Sequence, residues 1–278
     1  MPSDREAPLI AREAVGGSYF LLTFRHPEVA RQARAGQFVM MKAGHSPEPP
    51  LRRPFSIMDV APELETFTLF VKAVGSGTRE LADLPVGHGA LCLGPLGTAF
   101  SPPPAGVEPV LIAGGYGIAP LLLWSHELKR AGLTPRLFYG GRSRADLALE
   151  PAVEALGLPH EFSTDDGSYG QAGKVTEAVA RYLANSGPAA LYGCGPHAML
   201  LAVASLAERR GLRAQVSLDP WMGCGLGICL SCVVRVQRRG EERGKYRCAC
   251  TDGPVFDAAD VVWSDEAASR SHREEAGA

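Results

Sequence analysis

The sequence predicts an α+β multidomain chain: an antiparallel β-barrel, an α/β domain on a parallel sheet, and a small cysteine-bearing domain at the carboxyl end. Three observations carry that reading. Residues 8 to about 100 are short β-rich runs punctuated by turns, the pattern of an antiparallel barrel. From residue 108, apolar strands alternate with helical periodicity, which means a parallel sheet covered on both faces. From about 215 a glycine-rich run holds Cys224, Cys229 and Cys232, and Cys250 follows after an insert. The expected divisions are 1–103, 104–214 and 215–263, with a polar tail over 264–278 too hydrophilic to order itself.

In the barrel, Ser18–Phe24, Gln37–Met41 and Thr66–Val71 read as strands. Ala35-Gly36, Gly75-Ser76-Gly77 and Gly94-Pro95-Leu96-Gly97 read as turns between such segments. Ser101-Pro102-Pro103-Pro104-Ala105-Gly106 reads as a linker. Next comes an apolar strand, Pro109–Ala113, a glycine-rich turn and a helix over Ile118–Arg130 that Gly132 stops. Arg136–Tyr139 is a second strand, and Val175, Val179 and Leu183 recur at helical spacing. Ala189–Tyr192 is a further strand, followed by a helix over His197–Arg210 with Pro196 in its first turn.

The cysteines are spaced Cys224-x4-Cys229-x2-Cys232, with a distant fourth. This is the plant-type ligand spacing of a [2Fe–2S] cluster. Gly223, Gly225 and Gly227 let the backbone approach the sulfurs and aim N–H groups at them. Structural zinc sites pair two close hooks, whereas this run has one tight hook, one extended loop and a lone thiol. Cysteines crowded among glycines also make a poor core pattern. The fourth ligand is Cys250 or Cys248. An extended segment puts both on one face, so spacing does not separate them. Cys250 is preferred, because Thr251-Asp252-Gly253-Pro254 forms a turn that swings it back.

Composition narrows the field further. The 278 residues are 46% hydrophobic and 21% charged, enough for two or three domains with cores of their own. Net charge is −2 without a long basic run, so nucleic acid is not an expected partner. No apolar stretch has the length of a membrane span. The opening MPSDREAPL carries no apolar signal stretch, which points to the cytoplasm, where disulfides are rare.

Two further motifs suggest organic cofactors. Arg53-Pro54-Phe55-Ser56 sets an arginine beside an aromatic ring and a hydroxyl at a strand start, which suits a flavin. Gly75-Ser76-Gly77-Thr78 supplies small residues at a helix start for a pyrophosphate, although a hairpin turn would read the same. Gly114-Gly115-Tyr116-Gly117-Ile118-Ala119-Pro120 joins a strand to a helix, and Gly193-Cys194-Gly195-Pro196 ends a later strand of the same sheet. Together they outline a nucleotide crevice at which Cys194 could meet a nicotinamide or simply fill a small buried space. The second strand runs into Tyr139-Gly140-Gly141-Arg142 with no acid at its end, which disfavours an ordinary Rossmann dehydrogenase. Asp165-Asp166-Gly167-Ser168 reads equally as paired carboxylates or as plain loop.

RPFS, GSGT, GPLG, GGYGIAP, TDDGSYG, YGCGP and MGCGLGICLSC…CTDGPVF occur in family order over nearly the whole chain. The chain therefore resembles the electron-transfer subunits of NAD-linked (class 1B) dihydroorotate dehydrogenases, within the ferredoxin-reductase superfamily. That resemblance implies FAD on the barrel, with Arg53, Pro54, Phe55 and Ser56 around the ring and ribityl region. Phe70, Val71 and Lys72 would line it, and Gly77 and Thr78 would hold the pyrophosphate. Gly115, Gly117, Cys194 and Gly195 would border NAD, and Cys224, Cys229, Cys232 and Cys250 would carry the cluster. It also implies a separate FMN-containing catalytic subunit in a heterotetramer. Electrons from dihydroorotate would run through the cluster and FAD to NAD+ in pyrimidine biosynthesis. The alternative is a diaphorase-like subunit of another NAD(P)H-linked ferredoxin or sulfide reductase complex. Ala113 and Tyr116 depart from the family's usual residues. Arg142 and Arg144 could receive a 2′-phosphate, so NADP stays open at this point.

Overall fold

The structure is a computed structural model that describes residues 2–44, 51–238, 240–241 and 243–263. The expected polar tail over 264–278 lies outside the described residues. Among those residues, strands β1 (Ser3–Gly16), β2 (Tyr19–Arg25), β3 (Phe38–Ala43), β4 (Arg53–Ala61), β5 (Thr66–Lys72) and β6 (Gly89–Leu96) close into a barrel. Their order round it is β1-β2-β5-β4-β3-β6. Helix α1 (Pro27–Gln32) lies between β2 and β3, and α2 (Ser76–Ala82) between β5 and β6. Phe24 stacks on Phe67 inside the barrel with centroids 5.8 Å apart, and Tyr19 stacks on Phe70 at 5.2 Å on the outer face of the same strands.

Two strands differ from expectation. β1 begins at Ser3, because residues Ser3 to Pro8 pair with β6 before Leu9 to Gly16 pair with β2. A bulge between Leu9 and Ala11 bends the strand from one partner to the other, as barrel closure requires. The start is hard to read because Asp4, Arg5 and Glu6 face solvent. β6 also runs through Gly94-Pro95-Leu96, which the sequence marks as a turn. A register shift against β3 between Phe38 and Met40 absorbs the proline, and the chain turns only at Gly97 (φ 76°).

The second sheet is built from β7 (Glu108–Gly114), α3 (Ile118–Arg130), β8 (Arg136–Gly141), α4 (Glu150–Ala155), β9 (His160–Thr164), β10 (Gln171–Ala172), α5 (Val175–Leu183), β11 (Ala189–Cys194), α6 (His197–Arg210) and β12 (Arg213–Ser217). The two main helices keep the bounds the sequence predicts, but Pro196 sits at the N-cap of α6, one place before its first turn. The ribbon of β13 (Val233–Val236) and β14 (Lys245–Cys248) follows, and then β15 (Val255–Asp257). The sheet order is β10-β9-β8-β7-β11-β12-β15, parallel except for β15. Neighbours lie on opposite sides of β7, so the crevice opens at the carboxyl ends of β7 and β11. The expected division at 214/215 falls inside β12, and β15 of the cysteine segment completes the same sheet.

The parts share their cores. One apolar cluster joins Leu9, Phe24 and Phe67 of the barrel to Leu111, Leu121 and Leu137 of the sheet. Another joins Phe38, Met40, Leu93 and Leu96 of the barrel to Val110, Leu191, Cys232, Ala249 and Cys250. Polar ties add to this: Ala35 N–H donates to Glu127 Oε1 (2.8 Å), and Thr98 Oγ1 donates to the Val255 carbonyl (3.1 Å). No helix is long and apolar enough to cross a membrane among the described residues.

Candidate redox site

The cysteine loop has no regular structure. Left-handed Gly225 (φ 74°), Gly227 (φ 76°) and Leu230 (φ 57°) curl it, and Leu230 takes that conformation at a steric cost. The curl turns backbone N–H groups toward sulfur. Leu226 and Cys229 donate to Cys224 Sγ at 3.3 and 3.5 Å, and Gly227 donates to Cys250 Sγ at 3.2 Å. Gly223 instead donates to Ser231 Oγ (3.0 Å), whose hydroxyl lies 3.1 Å from Cys229 Sγ. That hydroxyl, with Cys224, brings the Cys229 thiol down to about 6. Cys232 and Cys250 are buried, and burial first, then Cys232, pushes Cys250 up to about 12. Cysteine sulfurs that accept backbone N–H groups, with Cys250 too buried to ionise alone, fit a cationic iron–sulfur group.

The two candidates for the fourth ligand, Cys248 and Cys250, differ in their place in a turn. Cys248 ends β14, and its carbonyl accepts from Thr251 N–H (3.1 Å) and Asp252 N–H (2.8 Å). The turn thus starts at Cys248 and leaves Cys250 within it. Cys248 also neighbours Cys232. The Gly227 N–H, however, points at Cys250.

Arg53, Pro54, Phe55 and Ser56 are half-buried on β4, opposite Met41, Met40, Val39 and Phe38 of β3. Arg53 Nη1 donates to the Leu51 carbonyl (2.8 Å), which fixes the guanidinium at the strand entrance. Val71 is buried inside the barrel and offers a ligand only its backbone, while Phe70 on the opposite strand face is covered by Tyr19. Gly75-Ser76-Gly77-Thr78 is a helix start and not a hairpin. Thr78 Oγ1 accepts from Val74 and Gly75 N–H (3.0 and 2.9 Å) and so shapes the loop in front of α2. A Cβ at Gly75 would enter open space, which is room for a pyrophosphate.

At the crevice, Gly117 packs against the end of β11. A Cβ there would run into the Cys194 carbonyl and stand 2.7 Å from Gly195 N. Gly115 (φ 52°) faces open space beside it. Cys194 is buried, and burial pushes its thiol up to about 12, so its bulk and backbone shape the crevice more than its reactivity does.

The sequence shows no acid closing β8, yet the fold brings three to it. Asp146 Oδ2 accepts from Arg142 N–H (3.1 Å), while Asp165 and Asp166 donate their N–H groups to the Gly141 and Arg142 carbonyls (3.0 and 3.1 Å). The Ser168 hydroxyl and N–H hold the Asp166 carboxyl below its usual range. Arg144 stacks 4.6 Å over Tyr169 and lies 3.6 Å from Glu150. Asp146 also bridges to the barrel, accepting from Tyr19 Oη (3.3 Å) beside Lys72 Nζ (3.9 Å). Tyr19 and Asp146 carry no local sequence signal, since only tertiary folding brings them together.

Residues 219–262 match the iron–sulfur cluster binding domain of dihydroorotate dehydrogenase B, and residues 111–205 match the oxidoreductase NAD-binding domain. The dihydroorotate dehydrogenase B (NAD(+)) electron transfer subunit of Desulforamulus reducens is 33% identical over 93% of this chain and 98% of its own length. That of Shouchella clausii is 36% identical over 91% of this chain and 96% of its own. The chain belongs to the family of dihydroorotate dehydrogenase B electron transfer subunits. Beyond that family, a structure of an NADH-dependent reduced ferredoxin-NADP oxidoreductase superposes with a TM-score of 0.83 at 28% identity, covering 99% of this chain and 97% of that one. A Neisseria gonorrhoeae ferredoxin NADP+ reductase with bound FAD and NADP shares the fold over 75% of this chain and 92% of its own (TM-score 0.64, 19% identity).

Proposed function

We propose that this chain is the electron-transfer subunit of an NAD-linked dihydroorotate dehydrogenase, working in the cytoplasm in a heterotetramer with an FMN-containing catalytic subunit. Bound here, FAD and a [2Fe–2S] cluster supply the exchange between one-electron and two-electron transfer that lets dihydroorotate reduce NAD+. Cys224, Cys229, Cys232 and Cys250 hold the cluster, and Leu226, Gly227 and Cys229 N–H groups stabilise its sulfurs. Arg53, Pro54, Phe55, Ser56, Phe70, the Val71 backbone and Lys72 hold the flavin, with the Gly77 and Thr78 N–H groups at its pyrophosphate. Gly115, Gly117, Cys194 and Gly195 receive the nicotinamide half of NAD. Asp146, Asp165 and Asp166 accept ribose hydroxyls and repel a 2′-phosphate, which favours NAD over NADP. By the group each part would bind, the chain divides into a flavin barrel (1–103), a nucleotide part (104–214) and a cluster part (215–263), the last two joined through β12 and β15 of one sheet.

The observation that carries this reading is the packing of the cysteine loop on β3, the strand that pairs with Arg53 to Ser56. Trp221, Ile228 and Tyr246 are 66%, 77% and 73% exposed around that loop, an apolar rim suited to burial by a catalytic subunit. Co-expression with an FMN-binding dihydroorotate dehydrogenase tests it. The complex is expected to reduce NAD+ with dihydroorotate, and this chain alone is not. A second reading, a subunit of another NAD(P)H-linked ferredoxin oxidoreductase, rests on the likeness at TM-score 0.83, but the full-length relatives and the cluster-domain match support the first reading over it. A complex that turns over ferredoxin but not dihydroorotate would decide for it.

A further inference from the structure

The cysteine loop meets the barrel at one bare Cα. A Cβ on Gly225 would stand 2.6 Å from Met40 Cγ and 3.0 Å from Leu96 Cδ1. Met40 is fully buried, and Cγ is the second carbon of its side chain rather than its free end, so relief of the clash is costly. Carbon atoms rest about 3.5–4.0 Å apart, so a side chain at Gly225 calls for a displacement of about 1 Å between the loop and β3. Gly225 follows Cys224 directly, and Met40 pairs with Pro54 inside Arg53-Pro54-Phe55-Ser56. The contact therefore lies between the cysteine cage and the flavin strand.

We infer that the Gly225–Met40 contact is the spacer that sets how closely the cluster cage approaches the flavin strand, and with it the rate of electron exchange between the two cofactors. This rests on the proposed function. Gly225 and Met40 are positioning residues here, since neither supplies a ligand to either cofactor.

The test uses the complex with its catalytic subunit, loaded with FAD and iron. NADH gives a hydride to FAD, leaving NAD+ and a flavin two electrons richer. One of those electrons passes to the oxidised cluster and the other stays on the flavin. Freeze-quench EPR after mixing with NADH reads the reduced cluster, and stopped-flow absorbance reads flavin bleaching. Gly225→Ala is expected to keep flavin bleaching and the equilibrium EPR line shape, and to slow the appearance of the cluster signal several-fold, because electron tunnelling weakens exponentially with distance. Adding Met40→Ala removes the Cγ that the new methyl meets, and is expected to recover most of the wild-type rate, with the lesser contact to Leu96 Cδ1 remaining. That rescue separates spacing from backbone strain, because the double variant keeps the strain at φ 74°. If Gly225→Ala loses iron, the same rescue is read as iron content. A wild-type rate in Gly225→Ala, or no recovery in the double variant, overturns the inference. Absence of flavin or iron from the wild-type complex would instead overturn the proposed function.

Discussion

At the scale of single residues, the cage and the crevice make separable predictions. Cys250→Ser is expected to abolish iron content and visible cluster absorption while the flavin stays bound. Cys248→Ser is expected to leave both, because the Gly227 N–H serves Cys250. The reverse result, read by iron assay, would move the fourth ligand to Cys248. Asp166→Ala removes an exposed carboxylate beside the end of β8. Its kcat/KM ratio for NADH over NADPH is expected to fall several-fold, because the repulsion of a 2′-phosphate is weakened. An unchanged ratio would remove Asp166 from nucleotide selection.

Elements set how these residues are held. The turn between β7 and α3 packs against the end of β11 only because Gly117 lacks a side chain. Gly117→Ala is expected to raise the KM for NADH about fivefold or more with iron and flavin retained, in line with an overpacking cost of about 1–3 kcal/mol. Helix α1 carries a pH-dependent start. His26 Nδ1 accepts from Val29 N–H (3.3 Å), and Nε2 is buried without a hydrogen-bond partner. Burial first, then the charge of Arg5, lowers the His26 pKa from 6.5 to about 4. Glu28 lies 3.4 Å from Nδ1 but is shared with Arg5, so it does little to restore the proton. The folded state favours neutral His26 and the unfolded chain protonates near 6.5, so this stability is whole above pH 6.5 and is lost as pH falls toward 4. The loss is at most roughly 3 kcal/mol. Urea midpoints of wild type are expected to fall across that window more steeply than those of His26→Asn, which keeps a cap but does not titrate. Parallel slopes would mean that His26 is protonated in the fold. Elements are also where the sequence was most legible. Ile118–Arg130 and His197–Arg210 stand as read because glycine and proline mark their ends. The start of β1 was hidden by its solvent-facing polar residues, and Pro95 inside β6 imitates a turn.

For the whole molecule, the barrel, sheet and cysteine segment share two apolar clusters. Urea unfolding followed by flavin fluorescence, cluster absorbance and far-UV circular dichroism is therefore expected to show coincident transitions. Separated curves would mean that the parts fold independently. The cofactor-ligand candidates were legible because glycines and cysteines keep characteristic local spacings. Asp146, Tyr19 and the Gly225–Met40 contact were not, since each depends on segments distant in the chain. β15 escaped for a related reason: three residues after the last cysteine gain meaning only beside β12. The bare apolar rim of Trp221, Ile228 and Tyr246 has a cost before assembly. A copy made without its catalytic companion presents greasy surface to the crowded cell, so unmatched subunits would clump or be degraded, and synthesis of the two polypeptides must be kept in step.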